Sequence, residues 1–143
     1  MSNSLDSASK RRLEALSEFR YRLRSFLRFS EDAAREAGVT ALQYQLLLHT
    51  QGFPGRQWAS VSELAERLQA QPHGAVALVS RCEEAGLVRR QPSTVDRRQV
   101  EVHLLPKGRK VLAKLAERHL TELSELAEAV RLAHAIQGSI EAH

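Results

Sequence analysis

Basic side chains are concentrated in one short part of this 143-residue chain. Between Gly86 and Lys110 there are seven arginines and lysines against two acids, whereas the segment from Val111 onward has three basic residues and five acids. A cluster of guanidinium and ammonium groups is the electrostatic feature that binds a polyanion such as a nucleic-acid backbone. The alternative is that these residues only keep an exposed hairpin soluble.

The basic cluster belongs to a segment, residues 58–110, whose sequence predicts a helix, a turn, a second helix and a β-hairpin. Ser60 and Glu63 have the spacing of a capping box at the start of the first helix. Pro72 suits the first turn of the second helix, and Gly86 suits its C-terminal end. The run QVEVHLL alternates apolar and polar residues, as a strand does, and PSTVDRR connects it to the preceding strand LVRRQ.

The remaining residues of this segment supply buried faces and a further strand. We expect the inward side chains of the two helices to be Leu64, Ala65, Leu68, Ala75, Val76, Leu78, Val79 and Cys82. Residues 58–60 are expected to add a short third strand beside the hairpin. A helix-turn-helix followed by a hairpin with arginines at its tip is a winged helix. That unit reads duplex DNA with a helix in the major groove and a loop on the backbone or minor groove.

Longer helices are predicted on both sides of the winged unit. The first spans about 9–37, and the last follows Leu105 through a turn at Pro106 and Gly108 to about 137, with Gly138 at its end; a break near Thr121 or Ser124 is an alternative. A short helix from Ala41 to about Gln51 has Thr40 as its cap and three inward leucines: Leu42, Leu46 and Leu47.

The predicted fold is therefore mainly α with a small β-hairpin wing (α+β), forming a single domain over residues 1–143. The DNA-binding lobe would span about 41–106. Apolar stripes on the helices at about 9–37 and 107–137 indicate a homodimer interface, although an ordinary core helix also carries such a stripe.

Composition limits the possible functions. The chain is 43% hydrophobic and 27% charged, as in a soluble globular protein, and no run approaches the roughly 18 apolar residues of a membrane-spanning helix. We expect no secretory signal, because the N-terminal residues are polar, and the single cysteine fits a reducing cytoplasm. We expect no enzyme activity, no cofactor and no metal, because the chain has no Gly-rich phosphate loop and its six histidines include no pair four residues apart.

Three stretches carry a resemblance to a known family: SVSELAERL, HGAVALVSRCEEAGLVRR and VDRRQVEVHLLPKGRKVL. Over about residues 10–130 the chain resembles the MarR family of bacterial transcription regulators. The resemblance implies a homodimeric winged-helix protein that binds a pseudo-palindromic double-stranded DNA site, usually as a repressor. It also implies a cytoplasmic protein, nucleoid-associated when bound to DNA, that releases DNA when a small, frequently phenolic, ligand binds.

The resemblance places the family's wing motif on Asp96, Arg97 and Arg98. Arg98 matches the arginine that enters the minor groove, Asp96 the acid that pairs with it, and Arg97 is expected to contact phosphate. The predicted DNA-contacting residues of the second helix are Gln71, His73, Gly74, Ala77, Ser80 and Arg81. Of these, Gln71, His73 and Arg81 would read bases, Ser80 would lie near the backbone, and the small residues would permit a close approach.

The resemblance also suggests a ligand pocket, for which the candidates are Arg22, Phe26, Phe29, Tyr44, His49 and Trp58. Core packing is the alternative role of each. Two other functional hypotheses remain. One is a winged-helix module whose basic wing contacts an acidic protein. The other is a regulator that senses oxidants through Cys82, whose position in the helical pattern instead indicates a core residue.

Overall fold

The computed structural model describes the backbone of residues 6–141 and all side chains in that range except those of 136, 137 and 139–141. The helices and strands are α1 (Ser7–Glu36), α2 (Ala41–Gln51), β1 (Trp58–Ser60), α3 (Val61–Leu68), α4 (Pro72–Glu84), β2 (Val88–Pro92), β3 (Val100–Leu104) and α5 (Pro106–Glu141). The predicted order of elements is confirmed, and so is a mainly helical fold with one small sheet.

The chain forms two compact units. The central unit is residues 33–116, and the terminal unit consists of the described residues within 1–32 and 117–143. Helices α1 and α5 each contribute residues to both units. Among the described residues, no helix combines the length and the apolar character needed to cross a membrane.

A three-stranded antiparallel sheet in the order β1-β3-β2 lies in the central unit. Trp58 pairs with His103, and Val88 pairs with Leu104. The third strand predicted from residues 58–60 is therefore confirmed. Helices, strands and the turn before β2 all contribute large, fully buried side chains to this unit: Leu46, Leu47, Leu64, Val79, Leu87, Val88, Val102 and Leu115.

Two of the helices begin with complete capping boxes. Thr40 Oγ1 accepts a hydrogen bond from the Gln43 amide at 3.1 Å, and the Gln43 side chain accepts one from the Thr40 amide at 2.9 Å. Ser60 and Glu63 repeat the arrangement at α3, as predicted. Each N-cap is worth about 1 kcal/mol. Pro72 occupies the first turn of α4, where the missing N–H removes no helical hydrogen bond.

Two apolar residues predicted to point inward are exposed. Leu42 is 52% exposed and Val76 is 47% exposed. Successive helical residues are about 100° apart around the axis, so a three- and four-residue pattern locates the centre of a buried face better than its edges. Val76 lies on the flank of the face that Ala75, Leu78 and Val79 bury, and Leu42 lies beside the buried face of α2.

Two predicted features of the last helix are wrong. Gly138 does not end it, because α5 continues to Glu141, and there is no break near Thr121 or Ser124 within its described range. Gly108 does not form a turn before the helix but lies inside its first turns. A Cβ there would come within 2.1 Å of the Leu87 carbonyl oxygen, so the helix packs directly on backbone at this point.

A buried histidine joins α1 and α5 in the terminal unit. His119 Nε2 lies 2.9 Å from Ser30 Oγ. The rings of Phe26 and Phe29 meet the imidazole edge to face, with centroids 5.9 and 5.4 Å away. Along the same two helices, large apolar side chains remain exposed in this single chain: Leu13, Leu16, Leu27, Leu120, Leu123, Val130 and Leu132.

Candidate nucleic-acid interface

The connection between β2 and β3 is closed by hydrogen bonds around a buried serine. Ser93 Oγ accepts from the amides of Val95 at 3.2 Å and Asp96 at 3.1 Å. The Ser93 amide donates to Gln99 O at 3.2 Å, and the Gln99 amide donates to Asp96 O at 2.9 Å. The tip of the wing is thus an ordered turn rather than an open loop.

Asp96 and Arg98 form a pair at this tip. Asp96 Oδ1 accepts from the Arg98 amide at 3.0 Å and from Arg98 Nε at 3.3 Å. The Arg98 side chain is nevertheless 92% exposed. Because the pair uses Nε, it does not require the two terminal NH₂ groups, which can donate to another acceptor. Arg97 is also exposed.

Helix α4 presents an exposed face in the same unit. Gln71, His73, Ala77 and Arg81 are exposed, while Gly74 and Ser80 are half-buried. In the described part of the chain, Gln71 makes no side-chain hydrogen bond to the helix amides, so the cap is weak. A Cβ at Gly74 would meet no described atom within 4 Å, so the packing of this chain does not require a glycine there.

Arg90 connects the wing to α4. Its NH1 donates to Glu83 Oε1 at 2.8 Å, and its NH2 donates to Ser80 Oγ at 2.7 Å and to Val76 O at 3.2 Å. Its amide donates to Glu83 Oε2 at 3.1 Å. We missed this contact in the sequence, where Glu83 and Arg90 on either side of the turn in EEAGLVRR were the available signal. The predicted contact of Ser80 with the DNA backbone would share a hydroxyl that Arg90 already uses.

The start of α5 packs on the end of α4. The Lys107 ammonium donates to Ala85 O at 2.8 Å, and the Leu105 amide donates to Leu87 O at 2.9 Å. Gly86, between them, has φ +75°, the left-handed conformation predicted for the residue after the helix. Helix α4 is therefore held at its end as well as along its side.

A stack of cationic and aromatic side chains supports the start of α3. The Arg56 guanidinium lies 3.9 Å from the centroid of the Trp58 ring and 4.2 Å from that of Phe53, and it pairs with Glu63. The Trp58 ring also stacks on the His103 ring, with the two centroids 6.1 Å apart. Burial raises the pKa of Glu63, but the hydrogen bonds from Ser60 and Arg56 outweigh it, so the pKa lies below its usual value.

The six candidate ligand residues divide equally between the two units. In the central unit, Tyr44 is buried and burial raises its pKa. His49 is half-buried, and burial, followed by the charge of Arg67, lowers its pKa. Trp58 belongs to the stack described above.

In the terminal unit, Phe26 and Phe29 flank His119. The third candidate there, Arg22, donates through Nε to Glu18 at 2.9 Å and borders a cleft of about 380 Å³ with Glu125 and Leu132. Whether any of the six binds a ligand stays a prediction.

Cys82 is fully buried in α4. Burial raises the pKa of its thiol to about 11, against a smaller opposite effect of Arg81. Such a thiol is almost entirely protonated at neutral pH, and the thiolate is the reactive form. The position therefore favours the core role over the redox-sensing one. Among the described residues there is also no group of three or more histidines, cysteines and acids that could hold a metal ion.

A helix-turn-helix followed by a β-hairpin with an ordered basic tip defines a winged-helix fold. Residues 37–99 match the model of the MarR family. A transcriptional regulatory protein for the hcr operon of Thauera aromatica is 28% identical over 121 residues, which is 85% of this chain and 70% of the relative. The chain is therefore similar to the MarR family over residues 37–99 and to a transcriptional regulatory protein over most of its length.

Solved structures share the fold. AbsC, a MarR-family transcriptional regulator from Streptomyces coelicolor, matches with a TM-score of 0.71 at 20% identity over 99% of this chain and 97% of its own. A MarR variant from E. coli complexed with operator DNA matches at 0.67, with 18% identity over 85% and 89% of the two chains. MosR from M. tuberculosis in complex with DNA matches at 0.61, with 23% identity over 86% and 90%.

Proposed function

We propose that this protein is a transcriptional regulator that binds a pseudo-palindromic DNA operator as a homodimer in the cytoplasm and represses transcription there. In each protomer, α4 occupies the major groove and Arg98 enters the adjacent minor groove. The observation that carries the proposal is the Asp96–Arg98 pair, which presents a 92% exposed guanidinium in the same compact unit as the exposed face of α4.

The charges of the wing suit this placement. A narrow A·T-rich minor groove has an enhanced negative potential that attracts arginine. An arginine side chain that is already held by a carboxylate loses less conformational entropy when it enters the groove. Arg97 and Lys110 are exposed and suit contacts with phosphate. On α4, Gln71 suits adenine and Arg81 suits guanine, because their side chains match the edges of those bases.

Exposed apolar side chains support the homodimer. Leu16, Leu123 and Val130 in the terminal unit are each close to half exposed or more, which is costly for a chain that stays alone in water. A two-fold dimer would present two α4 helices to half-sites about 34 Å apart, matching the symmetry of a pseudo-palindrome.

Release by a small ligand is the last part of the proposal. The inducer would be an aromatic molecule with a phenolic or acidic group. Support comes from the chemistry of the terminal unit, where Phe26 and Phe29 offer ring contacts and Arg22, beside a cleft of about 380 Å³, offers a guanidinium. Family resemblance is the other support.

Selection of bound duplexes from a random pool tests the proposal directly. We expect an enriched two-fold sequence, and affinity for it that falls steeply with salt because bound phosphates release counterions. Arg98→Ala should weaken this binding by about 1–3 kcal/mol, whereas Lys114→Ala, an exposed lysine in the acidic part of α5, should have little effect.

Equal and weak binding of selected and random duplexes would refute DNA recognition and favour the protein-interaction alternative. Sedimentation at micromolar concentration tests the dimer, which a clean monomer would exclude. Transcription in vitro from a promoter carrying the selected site, with and without phenolic compounds, tests repression and its release.

A further inference from the structure

Val76 is an apolar side chain at the edge of the exposed face of α4. It is 47% exposed, although the helical pattern predicts a buried residue there. It lies one turn after His73 and one turn before Ser80 on the same side of the helix. The adjacent residue on that face, Ala77, is also exposed and apolar. This part of the exposed face therefore offers methyl groups.

The main chain at Val76 is held from the wing. Its carbonyl oxygen accepts a hydrogen bond from Arg90 NH2 at 3.2 Å, and the same nitrogen donates to Ser80 Oγ at 2.7 Å. Valine in a helix has one strongly preferred rotamer, because both of its γ carbons crowd the preceding turn. The two methyl groups of Val76 are thus placed by a fixed backbone and a stiff side chain.

We propose that Val76 recognises the C5-methyl group of a thymine in the major groove. The inference rests on the proposed function, which places α4 in that groove. Thymine alone among the four bases presents a methyl group there, and apolar side chains are its usual contacts. Val76 keeps nearly half of its surface in water in the free protein, so covering that surface with a thymine methyl stabilises the complex.

The Ser80 hydroxyl, one turn away, already accepts a hydrogen bond from Arg90. Apolar contact by Val76 would therefore add base discrimination in the part of α4 where Gly74 and Ala77 supply no polar side chain.

The test uses a duplex selected from the random pool, in which single thymines are replaced by deoxyuridine. Uracil pairs like thymine and lacks only the methyl group. At one position in each half-site, we expect the replacement to weaken wild-type binding about fourfold, the effect of one methyl group leaving an apolar contact. Val76→Ala should weaken binding to the thymine duplex by several-fold and should be insensitive to uracil at that position.

A second variant and a control separate this contact from a general loss. Val76→Thr keeps the β-branched shape and one methyl group, so it should retain part of the sensitivity to uracil. Val95 is 94% exposed at the wing tip, away from the major groove in the proposed complex. Val95→Ala should therefore keep the full uracil effect. Thermal unfolding checks that all variants are folded.

The inference would be overturned if the uracil replacement weakened DNA binding of wild type and Val76→Ala equally. It would also be overturned if the replacement weakened wild-type binding at no position. In that case a continuing preference for the selected duplex over random DNA would leave the proposed function intact. Absence of that preference in the wild type would remove the proposed function and this inference together.

Discussion

Asp96 holds Arg98 through a single carboxylate oxygen, which accepts one hydrogen bond from the backbone amide and one from the side chain of the same arginine. The two residues are only two positions apart, so the contact is local to the wing. It restrains the guanidinium without burying it. A charged side chain that is to enter a DNA groove needs both properties.

The first prediction concerns this pair. Arg98→Ala should lower the preference for the selected duplex over random DNA, and Asp96→Ala should lower it less, because Asp96 acts by orienting Arg98. In the Arg98→Ala background, removal of Asp96 should then cause no further loss. Fluorescence anisotropy of wild type, the two single variants and the double variant at one salt concentration measures this double-mutant cycle. Additive losses would show that Asp96 acts independently.

The second prediction concerns Arg90. Lysine cannot reproduce the planar fork that reaches Glu83, Ser80 and the backbone of α4 together, so Arg90→Lys should lower the free energy of unfolding by about 1–3 kcal/mol. It should also reduce the preference for the selected duplex, because α4 is less firmly placed. Urea unfolding and anisotropy measure the two effects.

The matched control is Arg89→Lys in the same strand. The Arg89 side chain hydrogen-bonds Gln91 on its own strand and is exposed, so this variant should be close to wild type in stability. A similar loss of stability in both variants would mean that the contacts with α4 are not responsible.

The third prediction compares two glycines of α5. Gly108→Ala places a Cβ 2.1 Å from the Leu87 carbonyl oxygen, so it should destabilise the protein by about 1–3 kcal/mol. Gly138→Ala meets no described atom within 4 Å and should stabilise the helix by up to about 1 kcal/mol. Thermal unfolding of both variants measures the change in stability relative to wild type, which should have opposite signs in the two.

The fourth prediction is a pH dependence at Glu63. Its pKa is lowered in the folded protein, so its contribution to stability is complete above the unfolded pKa and is lost as pH falls through the folded one. Glu63→Gln keeps a side chain that can complete the capping box but removes the charge that pairs with Arg56. It should be less stable than wild type at pH 7 and should approach it below pH about 4.

Urea unfolding between pH 3 and pH 7 measures this difference. Glu66→Gln is the control, because Glu66 is exposed on the same helix. A stability difference for Glu63→Gln that stays constant over this range would contradict the ionic contribution.

The fifth prediction concerns Cys82. With a pKa raised to about 11 by burial, only about one thiol in a thousand is ionised at pH 8. The folded protein should therefore react slowly with a thiol reagent and quickly in urea, and peroxide should leave DNA binding of wild type and Cys82→Ala equally unchanged. Fast modification of the folded protein, or a peroxide response that Cys82→Ala abolishes, would restore the redox hypothesis.

Much of the fold could be predicted because its determinants are local. The capping residues Thr40 and Ser60, Pro72 at a helix start and the alternation of residues 100–104 act within a few positions of themselves. Exposure could not be predicted equally well. Val76 has the residue type and spacing of a core position, and only the neighbours of α4 determine that it lies outside.

In the candidate interface, contacts between residues close in sequence were also easier to predict than contacts between distant ones. The pairing of Asp96 with Arg98 follows from the family resemblance, and their separation of two residues keeps the contact within the wing. The contacts of Arg90 could not be predicted, because its partners Ser80 and Val76 are 10 and 14 positions away and meet it only when the hairpin packs on α4. The stack of Arg56 between Phe53 and Trp58 also depends on how the loop before β1 closes.

The hydrogen bonds that Ser93 accepts at the wing tip have a consequence for kinetics. A tip that is ordered in the free protein does not have to fold during encounter with DNA, so association should be limited by diffusion and charge. Replacement of Ser93 by alanine would leave that turn to order during binding. We expect a slower association rate for Ser93→Ala at low salt, together with a dissociation rate that changes less.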